Sequence, residues 1–184
     1  TNETPVITVE AIDSDNKTVS ETDTTLSTNG TLSVKDLDKT DVITTSFVVD
    51  SVQRNANNTI MNTDSNEPNN SILANMLTIT QTPIDGTAQN GTISWAFNSG
   101  SEAFNYLASG ETLTLTYTIK ATDDDSSQAF DTQTVVITIV GTNDVPTVLV
   151  DNIDGMTSFG KEFSKETAYL FADLDKTDIF KIEA

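Results

Sequence analysis

Three aspartates, Asp36, Asp38 and Asp41, share one six-residue stretch, and the same hexapeptide, Asp-Leu-Asp-Lys-Thr-Asp, returns unchanged at residues 173–178. Aspartates two apart in a turn can converge on one hard cation, and Ca2+ takes six to eight oxygen ligands at about 2.3–2.6 Å. A second acidic run, Asp123-Asp124-Asp125, and the separate residues Glu21, Glu111, Asn143 and Asp144 add oxygen donors elsewhere in the chain. The Asp36–Asp41 loop lacks the glycine and terminal glutamate of an EF-hand, so an ordinary acidic turn is the competing reading. Cysteine and histidine are both absent. That removes disulfides, thiolate sites, the usual zinc and copper ligands and the usual neutral-pH general base, so any metal must be held by oxygen alone.

Charge narrows the partners. Among 184 residues, 28 are acidic and 9 basic, a formal net charge of −19. Such a surface repels nucleic acid and anionic membranes and attracts cations, although much of the charge can serve solubility alone. No apolar run approaches 18 residues, and no basic segment followed by an apolar stretch opens the chain, so neither a membrane span nor a signal peptide is expected. The carboxylates fall in turn clusters, with no nucleophile–base arrangement and no phosphate-cradling glycine loop, so no enzymatic activity is expected.

The elements that must position these groups are strands. The palette is Thr, Val, Ile, Asn, Asp and Ser, and runs such as Thr112-Leu113-Thr114-Leu115-Thr116-Tyr117-Thr118-Ile119 alternate with period two. Strands are predicted at Val6–Ala11, Thr31–Lys35, Val42–Val52, Leu77–Thr80, Thr92–Phe97, Thr112–Ala121 and Thr132–Val140. Their turn-rich spacing predicts an all-β protein, an immunoglobulin/cadherin-like antiparallel β-sandwich. The expected core is Val34, Ile43, Phe47, Ile79, Ile93, Trp95, Leu115, Tyr117, Ile119, Val135, Ile137 and Ile139. Trp95, alternating with Ile93 and Phe97, reads as core rather than as a sugar platform. Short helical turns are predicted at Ser71–Met76 and Glu102–Leu107, and Arg54–Asn70, rich in Asn, reads as a long exposed loop. In this strand order Asp36, Asp38, Asp123–Asp125 and the opening Asn2 and Glu3 gather at one pole. Glu21 and Glu111 gather at the other, beside Asn143 and Asp144.

The chain also reads as a slice of a tandem array. Its Thr-Asn-acidic-x-Pro openings at Thr1 and Thr142 lie 141 residues apart and the two hexapeptides 137 apart, which sets a repeat of about 140 residues. The expected organisation is a sandwich over 1–141, a calcium-binding linker over 142–146 and the N-terminal part of a following repeat over 147–184. Pro146 and Gly141 mark the boundary.

Three segments carry a family resemblance: Gly30–Asp38, Trp95–Leu113 and Val136–Pro146. Together they resemble the VCBS repeat, over nearly all of residues 1–146. The segment Gly160–Ser164 followed by Leu170–Asp175 is similar to the start of a dystroglycan-type cadherin-like repeat. VCBS repeats are cadherin-like extender modules of giant bacterial RTX-type adhesins. The resemblance therefore implies an extracellular, cell-surface stalk module, exported by type I secretion and serving cell adhesion and biofilm formation. It implies Ca2+ between consecutive domains, held by Glu21 and Glu111, by Asn143 and Asp144 in the linker, and by Asp173 and Asp175 in the next repeat. Asp123 would join Asp36 and Asp38 at the opposite pole. The linker lacks the full Asp-x-Asn-Asp-Asn of cadherins, and the Leu107–Glu111 turn keeps only its final glutamate, so fewer ions per junction are expected. The implied partners are neighbouring repeats of the same polypeptide and, through other domains, a cell or abiotic surface. A monomer without nucleic acid and without membrane insertion is expected. The alternative is a glycan- or peptide-binding recognition module using Arg54–Asn70 or Trp95.

Overall fold

In the computed structural model, residues 2–56, 59–61, 67–145, 147–149 and 170–172 are described. One four-stranded sheet orders β1 (Val6–Thr8), β3 (Ser27–Lys35), β8 (Asn90–Asn98) and β6 (Leu77–Ile79). A second sheet orders β2 (Asn16–Ser20), β10 (Phe130–Val140), β9 (Glu111–Asp123), β4 (Val42–Ala56) and β5 (Thr59–Met61), with β7 (Ile84–Asp85) pairing the start of β4. Every pairing is antiparallel except β2 with β10, which is parallel. The chain passes repeatedly between the two sheets, crossing at β1–β2, β2–β3, β3–β4, β5–β6, β6–β7, β7–β8 and β8–β9. Two facing sheets with these crossovers form an immunoglobulin-like sandwich. Helix α1 (Asn70–Met76), capped by the Asn69 side chain accepting from the Ile72 N–H, leads into β6. Among the described residues, β11 (Thr147–Leu149) and β12 (Leu170–Ala172) pair with each other.

Alternation creates the core. Along β9 the side chains of Leu113, Leu115, Tyr117, Ile119 and Ala121 are fully buried while the intervening residues are half-exposed. Val135, Ile137 and Ile139 of the neighbouring strand β10 extend the same face, and Ile93, Trp95 and Phe97 of β8 with Leu32 and Val34 of β3 oppose it from the other sheet. Phe47 meets Tyr117 edge-on at 6.1 Å between ring centroids. Each large apolar side chain so buried contributes about 1.5–3 kcal/mol. Trp95 sits opposite Gly30, and a Cβ on Gly30 would approach the indole to 2.6 Å. The absent side chain lets the ring lie across β3, where its Nε1–H donates to the Ser14 carbonyl at 2.9 Å. Phe47 and Ile79 are the members of the expected core that remain half-buried.

Three features differ from the sequence expectation. β2, β5, β7, β11 and β12 are additional strands, β1 ends at Thr8 rather than Ala11, β3 begins at Ser27 rather than Thr31, and β4 runs to Ala56 rather than ending at Val52. Arg54 is consequently 2% exposed inside the sandwich instead of opening a loop, and Asn70 begins α1. Residues Glu102–Leu107 are not helical: Phe104 adopts a φ of 63°, and the Glu102 carboxylate accepts the Phe104 N–H at 2.8 Å, which breaks the helical ladder. The segment still buries Phe104 and Leu107, so apolar spacing served loop packing there.

Strand β9 spans the domain and sets the distance between its poles. Its 13 residues at about 3.3 Å per residue hold Glu111 and Asp123 roughly 40 Å apart.

Candidate metal centre

At the pole where β9 ends, two turns bring five aspartates together. The β3–β4 turn supplies Asp36, Asp38 and Asp41, whose carboxylate oxygens can be chosen to lie within 4.8 Å of one another. The end of β9 supplies Asp123 and the β9–β10 turn Asp124, and the two form a second such group with Asp41. Asp36 and Asp123 are each 1% exposed. Backbone donors shape the cluster: Asp36 Oδ1 accepts the Asp38 N–H at 2.8 Å, Asp123 Oδ1 accepts the Asp125 N–H at 3.1 Å, and Asp124 Oδ1 accepts the Val42 N–H at 3.1 Å. The N-terminal segment closes over it. Asn2 Nδ2 donates to Asp123 Oδ2 at 2.7 Å, and the Glu3 N–H donates to Asp38 Oδ2 at 2.8 Å.

Two oxygens here are buried without a hydrogen-bond partner, Asp36 Oδ2 and Asp41 Oδ2. Burying a carboxylate oxygen without a donor is costly. Burial, and after it the charges of Asp123 and Asp38, push the Asp36 carboxyl above its ordinary range, against the Asp38 N–H that pulls it down. Loss of water contact and then the charges of Asp123, Asp38, Asp36 and Asp124 push Asp41 the same way. Among the described residues, no basic side chain forms an ion pair with any of the five. A divalent cation would supply the positive charge that this arrangement lacks.

At the opposite pole Glu21, Asp23 and Asp144 form a third group within 4.8 Å. Glu21 follows β2 and Asp144 follows β10, so the parallel pairing of these strands delivers both to one end. Glu21 is 1% exposed, and its Oε2 accepts the Thr142 hydroxyl at 2.6 Å. Asp144 is 7% exposed. Asp23 has a φ of 54° and accepts from Asn105 Nδ2 at 3.1 Å. Asn143 is exposed and donates its Nδ2–H to the Asp144 carbonyl at 3.0 Å.

Glu111 lies at this pole but turns inward. Its Oε2 contacts Arg54 Nη2 at 2.5 Å and accepts the Ala108 N–H at 3.2 Å. Both partners of the ion pair are nearly fully buried, and the guanidinium also donates to the Tyr106 carbonyl at 3.2 Å and lies 5.4 Å from the Tyr106 ring centroid. A carboxylate this deep requires a counter-charge, and Arg54 provides it. Glu111 therefore does not join Glu21, Asp23 and Asp144. Its backbone does reach the residue that follows β10: the Gly141 N–H donates to the Glu111 carbonyl at 3.0 Å, and the Leu107 and Ala108 carbonyls lie where a Cβ on Gly141 would stand.

The structure thus brings Asp36 and Asp38 together with Asp41, and Asp123 with Asp124 beside them; it brings Glu21 to Asp144 and leaves Glu111 with Arg54. Asp173 and Asp175 lie outside the described residues. Asp23 was missed because its role follows only from proximity to Asp144, 121 positions along the chain. No sequence signal marked it beyond its place two residues after Glu21.

No protein-family profile matches the chain, and no curated protein matches it. Among solved structures it is similar to the PapD-like domain 7 of human CEP192, with 10% identity over 76% of this chain and 86% of that one, at a TM-score of 0.42. It is also similar to AggA, the major subunit of Escherichia coli aggregative adherence fimbriae type I (10% identity, 76% and 93% covered, TM-score 0.38). The CooA pilin subunit of enterotoxigenic Escherichia coli is a third (12% identity, 78% and 100% covered, TM-score 0.36). Similarities this loose leave function to be argued from the site.

Proposed function

We propose that this chain is a structural extender module of a secreted bacterial adhesin, a stalk segment stiffened by Ca2+ at its two poles. The observation that carries the reading is the pair of buried carboxylate oxygens, Asp36 Oδ2 and Asp41 Oδ2, left without donors inside a cluster of five aspartates. A second acidic group lies at the other end of the same sandwich, beside the linker residues Thr142–Asp144. The likeness of Gly30–Asp38, Trp95–Leu113 and Val136–Pro146 to VCBS repeats supports the surface-adhesin context and the tandem arrangement.

The physics is electrostatic. Clustered carboxylates at a domain end repel one another and favour open, bent joints. A divalent ion removes that repulsion and penalises any motion that stretches its ligands. Extracellular modules of this kind bind calcium with dissociation constants of about 10⁻⁴–10⁻³ M, so the array is loose where calcium is scarce and stiff outside the cell. Glycan recognition loses support, because Trp95 is 1% exposed with its indole N–H bonded to Ser14, and Arg54 is held in a buried ion pair.

Melting and small-angle scattering in EDTA and at about 10 mM Ca2+ test the reading. Calcium is expected to raise the melting temperature and sharpen the particle's longest dimension. Identical melting and scattering in the two conditions would overturn it.

A further inference from the structure

We infer that the outer face of the sheet formed by β2, β10, β9 and β4 is a self-association surface, on which a second copy of this chain packs face to face about a two-fold axis. The inference goes beyond the stalk reading and does not depend on calcium.

The alternation that buries Leu113, Leu115, Tyr117 and Ile119 sends Thr112, Thr114, Thr116, Thr118 and Thr122 of β9 to the opposite face, where they are half-exposed. Strand pairing extends them into rows. Thr138 of β10 lies beside Thr114, Val136 beside Thr116 and Thr134 beside Thr118, with Val48 of β4 flanking Thr118 on its other side. Two of the large exposed apolar side chains stand on this face, Val48 at 61% and Phe130 at 53% exposure.

Charge selects the occupant. The chain carries −19, yet the outward residues of these four strands include one cation, Lys120, and one carboxylate, the exposed Asp50 at the β4 bulge. Elsewhere carboxylates prevail: Glu3 and Glu10 line the groove on β1 and β3 of the other sheet, and acidic groups occupy both poles. Two like molecules repel wherever such surfaces meet, and this neutral face is where they approach without that cost. Its two charges are also complementary. Lys120 lies 3.9 Å over the Phe130 ring and pairs across to Ser46, whereas the bulge at Asp50 lies further along β4, opposite Tyr117 and Thr116. In a two-fold contact a residue that meets a second residue is met by it in return. Lys120 of each copy then faces Asp50 of the other, and both charges on the face are paired.

The size is sufficient. With 13 residues in β9 and five in β2, rises of about 3.3 Å and strand spacings of about 4.8 Å give a patch about 40 Å by about 19 Å, less the corners beyond β2, or roughly 700 Å². A standard interface buries about 800 Å² per partner, and packed sheets settle about 10 Å apart at this kind of face. The monomer expected from the sequence is then the dilute state.

Sedimentation equilibrium of the full chain in EDTA tests this for wild type, Thr116→Glu, Lys120→Glu and the charge swap Lys120→Glu/Asp50→Lys. The wild-type mass is expected to rise from 19.8 kDa toward twice that value between about 10 μM and about 1 mM. Thr116→Glu and Lys120→Glu should each weaken association about tenfold or more, and the swap should restore it. A wild type that stays at its monomer mass throughout, an association that Thr116→Glu leaves unchanged, or a swap no tighter than Lys120→Glu would overturn the proposal. Because the buffer holds EDTA, each of these results leaves the calcium reading untouched. Trp95 emission, which reports the packed core, verifies folding of each variant; should Thr116→Glu fail to fold, Lys120→Glu and the swap decide.

Discussion

Replacing Asp36 with asparagine should change the sign of its effect with calcium. The substitution keeps the oxygen that accepts the Asp38 N–H and removes one negative charge from a buried position whose other oxygen has no partner. Asp36 shares a group with Asp38 and Asp41 within 4.8 Å. At that distance, with an effective dielectric constant of about 20, the Asp36–Asp38 carboxylate pair repels by about 3 kcal/mol, and screening of the half-exposed Asp38 reduces the net effect to about 1 kcal/mol. In EDTA at neutral pH, Asp36→Asn should therefore be more stable than wild type by about 1 kcal/mol, or about 3 °C in melting temperature. Calcium at about 10 mM stabilises wild type by RT ln(1 + [L]/Kd), about 1.4–2.7 kcal/mol for a dissociation constant of about 10⁻³–10⁻⁴ M. Asp36→Asn should lose much of that gain, so wild type becomes the more stable form in calcium.

The pH dependence follows with its sign. The Asp36 carboxyl is raised above its ordinary 3.8 in the folded state by burial and by Asp123 and Asp38. Its favourable contribution, as the protonated acid, is full below that value and is lost as pH rises through the folded value. The EDTA advantage of Asp36→Asn should accordingly vanish in acid. Calorimetry in EDTA and in calcium across this range is the assay. A variant less stable than wild type in EDTA, or one that keeps the whole calcium gain, would refute the electrostatic argument.

Other expectations are equally direct. Arg54→Met strands the Glu111 carboxylate in the interior and should cost about 3–5 kcal/mol by chemical denaturation, part of which Arg54→Met/Glu111→Leu recovers. Glu111→Gln should leave the number of bound calcium ions unchanged, because its side chain is held by Arg54 rather than by the Glu21, Asp23 and Asp144 group. Gly30→Ala places a methyl 2.6 Å from the Trp95 ring and should cost about 1–3 kcal/mol, with a shift in Trp95 emission. Asp144→Asn should reduce the calcium-induced gain in melting temperature while the sandwich keeps its EDTA stability.

The sandwich was legible where one face is apolar and the other is Thr-rich. Ile93-Trp95-Phe97 and the Leu113–Ala121 alternation specify both the strand and the side it buries. β2 was not, because Asn16-Lys17-Thr18-Val19-Ser20 is an edge strand held by backbone pairing to β10, with Val19 as its single large apolar residue. The end of β4 was hidden for a related reason: Gln53-Arg54-Asn55 looks like loop composition, yet Arg54 goes inside because Glu111 across the sheet neutralises it. For the acidic groups, sequence spacing within one turn revealed Asp36, Asp38 and Asp41. Strand order placed Asp123–Asp125 at the same pole as Asp36 and Asp38, whereas the particular contacts of Asp41 with Asp123 and Asp124, and of Asp23 with Asp144, are set by strand pairing beyond the reach of local pattern. Glu111 shows the converse: its place at the pole was legible, but the direction of its side chain depended on a cation 57 positions away.

Calcium binding to the intact chain, measured by dialysis together with melting in the same buffers, tests the central claim most directly. The account predicts retained calcium at millimolar concentration, a melting temperature higher by several degrees than in EDTA, and loss of both effects at the β9-end pole in Asp36→Asn. Finding no retained calcium and one unchanged melting temperature would contradict it.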